Sequence, residues 1–205
     1  MIDTSLHTQL TADEAMQRLI DGNARFLRGE AHFPELREEL LEAMAKHQSP
    51  FAMILGCSDS RVPPELIFGA GFGELFVVRV AGNLLSPEVA GSLQYAGVHL
   101  HTPLLVVLGH EGCGAIKAAL HTRREGPTQR ARIQLLIDSL LPGLSEVSPD
   151  LDPEEELAQG VEANVRWTVR QILESPEGQA RLAEGRMKIA GAVYELATGR
   201  VRFLK

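Results

Sequence analysis

Three short, nearly unbroken apolar runs most constrain what this chain can fold into: Phe51–Gly56, Leu75–Val80 and Leu104–Leu108. A strand with one wetted face alternates apolar and polar residues. A run without alternation belongs to a strand covered on both faces, as in parallel sheets. Segments with helical periodicity separate the runs, Pro87–Leu100 being the clearest. This alternation predicts an α/β fold, a central and mainly parallel β-sheet flanked by helices. The C-terminal end departs from it. Met187–Leu196 and Val201–Leu204 are separated by a Thr198-Gly199 turn, so the last strand is expected to be an antiparallel edge strand.

A helical arm precedes the sheet. Thr11-Ala-Asp-Glu14 has the capping-box pattern, and Met16, Leu19 and Ile20 follow at helical spacing. A second helical stretch covers roughly residues 34–47. The expectation is one domain over residues 1–205, with 1–48 as an N-terminal helical arm and 49–205 as the α/β core. The arm must cover this core or another subunit. Further helices are expected from Cys113 to His121 and over Arg130–Leu141. A long one should follow the Asp152-Pro153 start and its three glutamates, reaching about Glu174. Residues 123–128 read as a loop.

Composition narrows the function. The chain of 205 residues has 20 Lys+Arg against 27 Asp+Glu, a net charge of -7, which argues against a nucleic-acid partner. No apolar run approaches the roughly 20 residues needed to span a bilayer, so no membrane partner is expected. The opening MIDTSLHTQL has neither the basic nor the apolar part of a secretion signal, and a cytoplasmic location is expected. Thiols in that compartment serve metals or catalysis more often than disulfides, and the chain has two, Cys57 and Cys113.

Both thiols stand in polar, Gly-rich turns directly after an apolar run. One turn is Gly56-Cys57-Ser58-Asp59-Ser60-Arg61-Val62-Pro63; the other is Gly109-His110-Glu111-Gly112-Cys113-Gly114. Ligands of open α/β sheets bind beyond the carboxyl ends of the strands, where strand order reverses, so the two turns are placed to converge. Two thiolates and an imidazole favour zinc, and three protein ligands leave the open fourth position of a catalytic site. A guanidinium beside Asp59 would lower its pKa and hold it ionised through a bidentate pair with Arg61. Without Arg61, Asp59 could swing onto the metal and close the site. Phosphate and dinucleotide loops are excluded. Gly69-Ala-Gly71-Phe-Gly73 does not complete the dinucleotide pattern, and Ala115-Ile116 stands where a phosphate loop needs Lys-Ser/Thr.

Cys57-Ser-Asp59-Ser-Arg61 and His110-Glu-Gly-Cys113-Gly together resemble the paired signatures of the β-class carbonic anhydrases. Leu19–Phe26, Gly73–Arg79 and Ala192–Gly199 are similar to that family's N-terminal helix, second strand and closing hairpin. The resemblance implies Zn2+, one per subunit, on Cys57, His110 and Cys113, with Asp59 a further ligand only in a closed form. It implies an Asp59–Arg61 catalytic dyad and reversible hydration of carbon dioxide to bicarbonate and a proton by zinc-bound hydroxide. It also implies a homodimer, possibly a tetramer, whose N-terminal helices embrace the neighbour. Gln48, Phe76 and Tyr95, with Gly112, match the substrate pocket of the plant-like, open-site subgroup, whose aromatic residues usually come from across the dimer interface. The allosteric bacterial subgroup usually has Trp three residues before the first ligand, where this chain has Ile54. Two thiolates cancel the zinc charge, so activity should rise into alkaline pH. The alternatives are hydrolysis of carbon disulfide or carbonyl sulfide on the same scaffold, and a non-catalytic zinc-stabilised domain.

Overall fold

A five-stranded sheet organises the chain in the computed structural model, which describes residues 10–31, 38–185 and 187–205. Its strands are β1 (Ala52–Gly56), β2 (Leu75–Arg79), β3 (Leu104–His110), β4 (Lys188–Tyr194) and β5 (Val201–Phe203), in the order β2-β1-β3-β4-β5. The first four are parallel and β5 pairs antiparallel with β4, as expected. Every residue of β1 and β3 is buried, which explains their unbroken apolar sequence. The chain leaves β1 for β2 on one side and returns to β3 on the other. The carboxyl ends of β1 and β3 therefore flank the point where strand order reverses. Gly56 pairs with Leu108, which sets Cys57 level with the last two residues of β3.

The helices follow the sequence closely, with instructive departures. α1 (Ala12–Leu27) carries the capping box: Glu14 N–H donates to Thr11 Oγ1 at 3.2 Å, and Thr11 N–H donates to Glu14 Oε2 at 2.8 Å. Of the helix expected over 34–47, residues 34–37 lie outside the described residues, and α2 occupies Glu38–Met44. α3 (Pro64–Ile67) is a single turn that the sequence reading did not anticipate. α4 (Pro87–His99) matches its expected span. α5 (Gly114–Glu125) runs four residues beyond the expected end. Its stop is Gly126, with φ +82°, whose N–H bonds the Thr122 carbonyl at 2.9 Å.

α6 (Ala131–Leu140) and α7 (Pro153–Glu174) stand where expected, and Asp152 caps α7 through Glu154 N–H and Glu155 N–H, both at 3.1 Å. α8 (Pro176–Ala183) was not expected. Ser175 closes α7 by donating to the Ile172 carbonyl at 2.8 Å and opens α8 by accepting from Gly178 N–H at 3.0 Å.

α1 covers its own subunit. Gly22 lies so close to the α3 turn that a Cβ there would stand 2.0 Å from the Phe68 carbonyl oxygen. Next to it, buried Asn23 donates to the Ile67 carbonyl at 3.2 Å and the Gly199 carbonyl at 2.9 Å, and accepts from Val201 N–H at 2.9 Å. The arm is thereby tied to the closing hairpin. On the sheet, α7 packs over β3 and β4 against Gly109 and Gly191, with Val165 meeting both. Among the described residues no helix is long and apolar enough to cross a membrane.

Candidate metal centre

The turns after β1 and β3 bring Cys57, His110 and Cys113 together. All three are buried, and their ligand atoms lie within 4.8 Å of one another, close enough to share one ion at ligand distances of about 2.0–2.3 Å. His110 is the last residue of β3 and Cys113 is the N-cap of α5. His110 Nδ1 lies 2.8 Å from the Glu111 carbonyl oxygen. An acceptor there fixes the proton on Nδ1 and leaves the lone pair on Nε2. That Nε2 is buried without a hydrogen-bond partner, an orphan that a metal would satisfy.

The thiols titrate as a pair. Cys57 falls well below the ordinary thiol range, chiefly because the Cys113 thiol donates to it. Burial opposes this, while His110 and the backbone N–H groups of Gly82 and Asp59 assist. Cys113 rises, first through its bond to Cys57, then through burial and the neighbouring negative charge. Burial works to lower His110, but the Cys57 thiolate beside it outweighs burial and the imidazole rises. One thiolate is thus ready for a cation, and binding would displace the second thiol proton. The donor set fits zinc.

Asp59 stands beside this set but outside it, its Oδ2 3.9 Å from His110 Nε2. Arg61 grips both carboxylate oxygens, Nε to Oδ1 at 2.9 Å and Nη2 to Oδ2 at 2.7 Å, and its own N–H adds a third bond to Oδ1 at 3.0 Å. The Arg61 side chain holds the Asp59 carboxyl well below the usual range, against the opposing effect of burial. Arg79, at the end of β2, secures the same turn from beneath, donating to the Cys57 carbonyl at 2.9 Å and the Asp59 carbonyl at 2.6 Å.

The expected pocket residues divide. Gly112 lies inside the His110–Cys113 turn with φ +63°, a left-handed conformation that suits glycine. Phe76 and Tyr95 pair with each other, ring centres 6.4 Å apart, and Tyr95 is 49% exposed. Phe76 pairs with Met53 across the sheet, four residues short of Cys57, which puts it about 13 Å down the strand from the metal group. Gln48 is exposed ahead of β1. A single subunit does not bring the aromatic pair to the metal group.

Sequence reasoning passed over Arg79, although a charge inside an otherwise apolar run was a visible signal. It also passed over Asn164, an amide on the buried stripe of α7 between Val161 and Thr168.

The carbonic anhydrase family profile matches residues 52–201. A carbonic anhydrase of Mycolicibacterium smegmatis is 38% identical over 196 residues, covering 91% of this chain and 90% of that protein. The chain belongs to the β-class carbonic anhydrases. Carbonic anhydrase 2 of Mycobacterium tuberculosis is 36% identical over 188 residues, covering 91% of this chain and 89% of that protein. The solved β-carbonic anhydrase of Coccomyxa, in complex with acetazolamide, superposes with a TM-score of 0.71 at 30% identity, covering 83% of this chain and 87% of that one. The matched span contains both turns of the metal centre.

Proposed function

We propose that this β-class carbonic anhydrase works through zinc on Cys57, His110 and Cys113, with Asp59 and Arg61 as its dyad. The reaction is CO2 + H2O to bicarbonate and a proton. The observation that carries the site reading is the buried, unpartnered His110 Nε2 facing two cysteines at the strand-order reversal. Zinc bound there would supply Lewis acidity that makes a water-derived nucleophile available, more so as pH rises because two thiolates offset the metal charge.

The chain's residues do the rest. The Glu111 carbonyl fixes the His110 tautomer. Arg61 keeps Asp59 ionised and engaged away from the three ligand atoms, which would leave a bound zinc open to solvent and favours the plant-like, open-site reading. Held ionised, Asp59 only accepts hydrogen bonds. It takes the O–H of the nucleophile and turns the oxygen lone pair toward the carbon of CO2. Gly112, lacking Cβ, leaves room beside the ligands for a small linear substrate. Buffer carries the proton away.

Gln48, Phe76 and Tyr95 form the substrate pocket of a neighbouring subunit in a homodimer. Two features support this reading. Phe76 and Tyr95 lie far from their own metal group, and an apolar groove of about 760 Å3, lined by Met53, Leu93, Val98, Leu105 and Met187 but not by the two rings themselves, runs along the helix that carries Tyr95 and the strand that Phe76 pairs with. Val98, on the same helix as Tyr95, is 42% exposed.

Metal analysis paired with stopped-flow CO2 hydration tests the site. The native chain should hold one zinc per subunit and hydrate CO2. Cys57→Ser should lose metal and activity together. A variant that kept full activity without zinc would overturn the reading.

A further inference from the structure

A strained turn lies directly under the Cys57 sulfur. Residues Ala81–Asn83 form a single 3-10 turn in which Gly82 has φ +72° and Asn83 has φ +43°. Two successive left-handed residues, the second of them not glycine, cost free energy unless their surroundings hold them. The turn presents its Gly82 N–H to Cys57 Sγ at 3.4 Å. What holds it comes from α7, 82 residues away. Asn164 Nδ2 donates to the Gly82 carbonyl at 2.8 Å, and Thr168 Oγ1, one helical turn later, donates to the Asn83 carbonyl at 3.4 Å.

Both donors are 1% exposed. Asn164 Oδ1 has no hydrogen-bond partner among the described residues, so the bond to Gly82 alone orients this amide. Burying an amide costs free energy unless its hydrogen bonds are made, and an apolar residue would fill an interior helix face at less cost. The polar choice at 164 serves the turn.

We propose that Asn164 is a positioning residue for the metal centre, acting through Gly82 on the Cys57 sulfur. The two contacts fall on the two peptide units that meet at the Gly82 Cα. Asn164 pulls on the Gly82 carbonyl, which fixes the orientation of the residue whose N–H draws charge from the thiolate. A sulfur with that donor gives less charge to a bound cation, leaving the cation a stronger acid. Partners beyond the ligands commonly carry effects of about 10–100-fold on metal affinity or activity. The proposal rests on the zinc reading of Cys57, His110 and Cys113.

Cobalt(II) substitution provides the test, with Asn164→Ser as the first variant and Thr168→Val as a gentler second one. In Asn164→Ser the sulfur-to-cobalt charge-transfer band should move to longer wavelength, since a sulfur without its donor is more easily oxidised. Against a competing chelator zinc should be held about tenfold more tightly, since a sulfur without its donor gives the cation more charge, and kcat per bound zinc at neutral pH should fall by a similar factor with KM little changed. Thr168→Val should shift the same quantities in the same direction by less. If Asn164→Ser does not fold, the Thr168→Val band and chelator titration decide. A lowered melting temperature with band, affinity and kcat per zinc unchanged would reduce Asn164 to a packing residue and overturn the proposal. Native protein that takes up no cobalt would overturn the zinc reading and this proposal with it.

Discussion

Arg61 decides whether Asp59 is a hydrogen-bond acceptor or a metal ligand. The carboxylate is only 3.9 Å from His110 Nε2, and three bonds from one arginine keep it facing away. Arg61→Ala should leave zinc bound and abolish CO2 hydration. A crystal structure of that variant should show Asp59 on the metal. Full activity in Arg61→Ala would show that the dyad is dispensable.

The acid dependence of the pair has a definite sign. The folded-state pKa of Asp59 lies below its unfolded value of about 3.9, so its contribution to stability is present above that value. It is lost as pH falls through the lower, folded value. In metal-free protein, urea midpoints of the native chain should therefore exceed those of Asp59→Asn near neutral pH, and the gap should begin to shrink only below about pH 4 and close in strong acid. A gap that persisted in strong acid would contradict the pairing. These residues were legible in the sequence because each lies in a short turn at a strand end. Asn164 and Arg79 were not, because their partners are backbone carbonyls on other elements, and a carbonyl has no sequence signature.

Elements were legible where their signals were local and repeated. The capping box of α1, the acidic start of α7 and the unbroken runs of β1 and β3 all took the form that the sequence proposed. The errors came from punctuation with two meanings. Ser175-Pro176 ends one helix and begins the next through a single hydroxyl. Arg123 and Arg124 looked like loop residues, yet both bond Glu156 at the start of α7, far along the chain. The docking of α1 was also invisible, because it depends on a missing side chain. At Gly22 the helix meets rigid backbone, not a side chain that could turn aside. Gly22→Ala should gain helix propensity and still lose stability by about 1–3 kcal/mol, since α1 must lift from the Phe68 carbonyl. Thermal unfolding reads the outcome, and an unchanged or raised midpoint would show that α1 is free to shift.

At the scale of the whole molecule, the metal group and the aromatic pair stand at opposite ends of β1 and β2. A catalytic pocket that needs both must be completed by a second subunit, and a two-fold dimer is the simplest closed arrangement that does so reciprocally. Complementation separates this arrangement from a pocket built within one chain. Cys57→Ser protein keeps Phe76 and Tyr95 but loses the metal; the Phe76→Ala/Tyr95→Ala protein keeps the metal but loses the pocket wall. Each alone should be nearly inactive. Mixed, unfolded and reassembled, they should form half hybrid dimers, each with one complete site of its two. Activity should then recover to about a quarter of the native level. Were the pocket internal to each subunit, mixing would restore nothing.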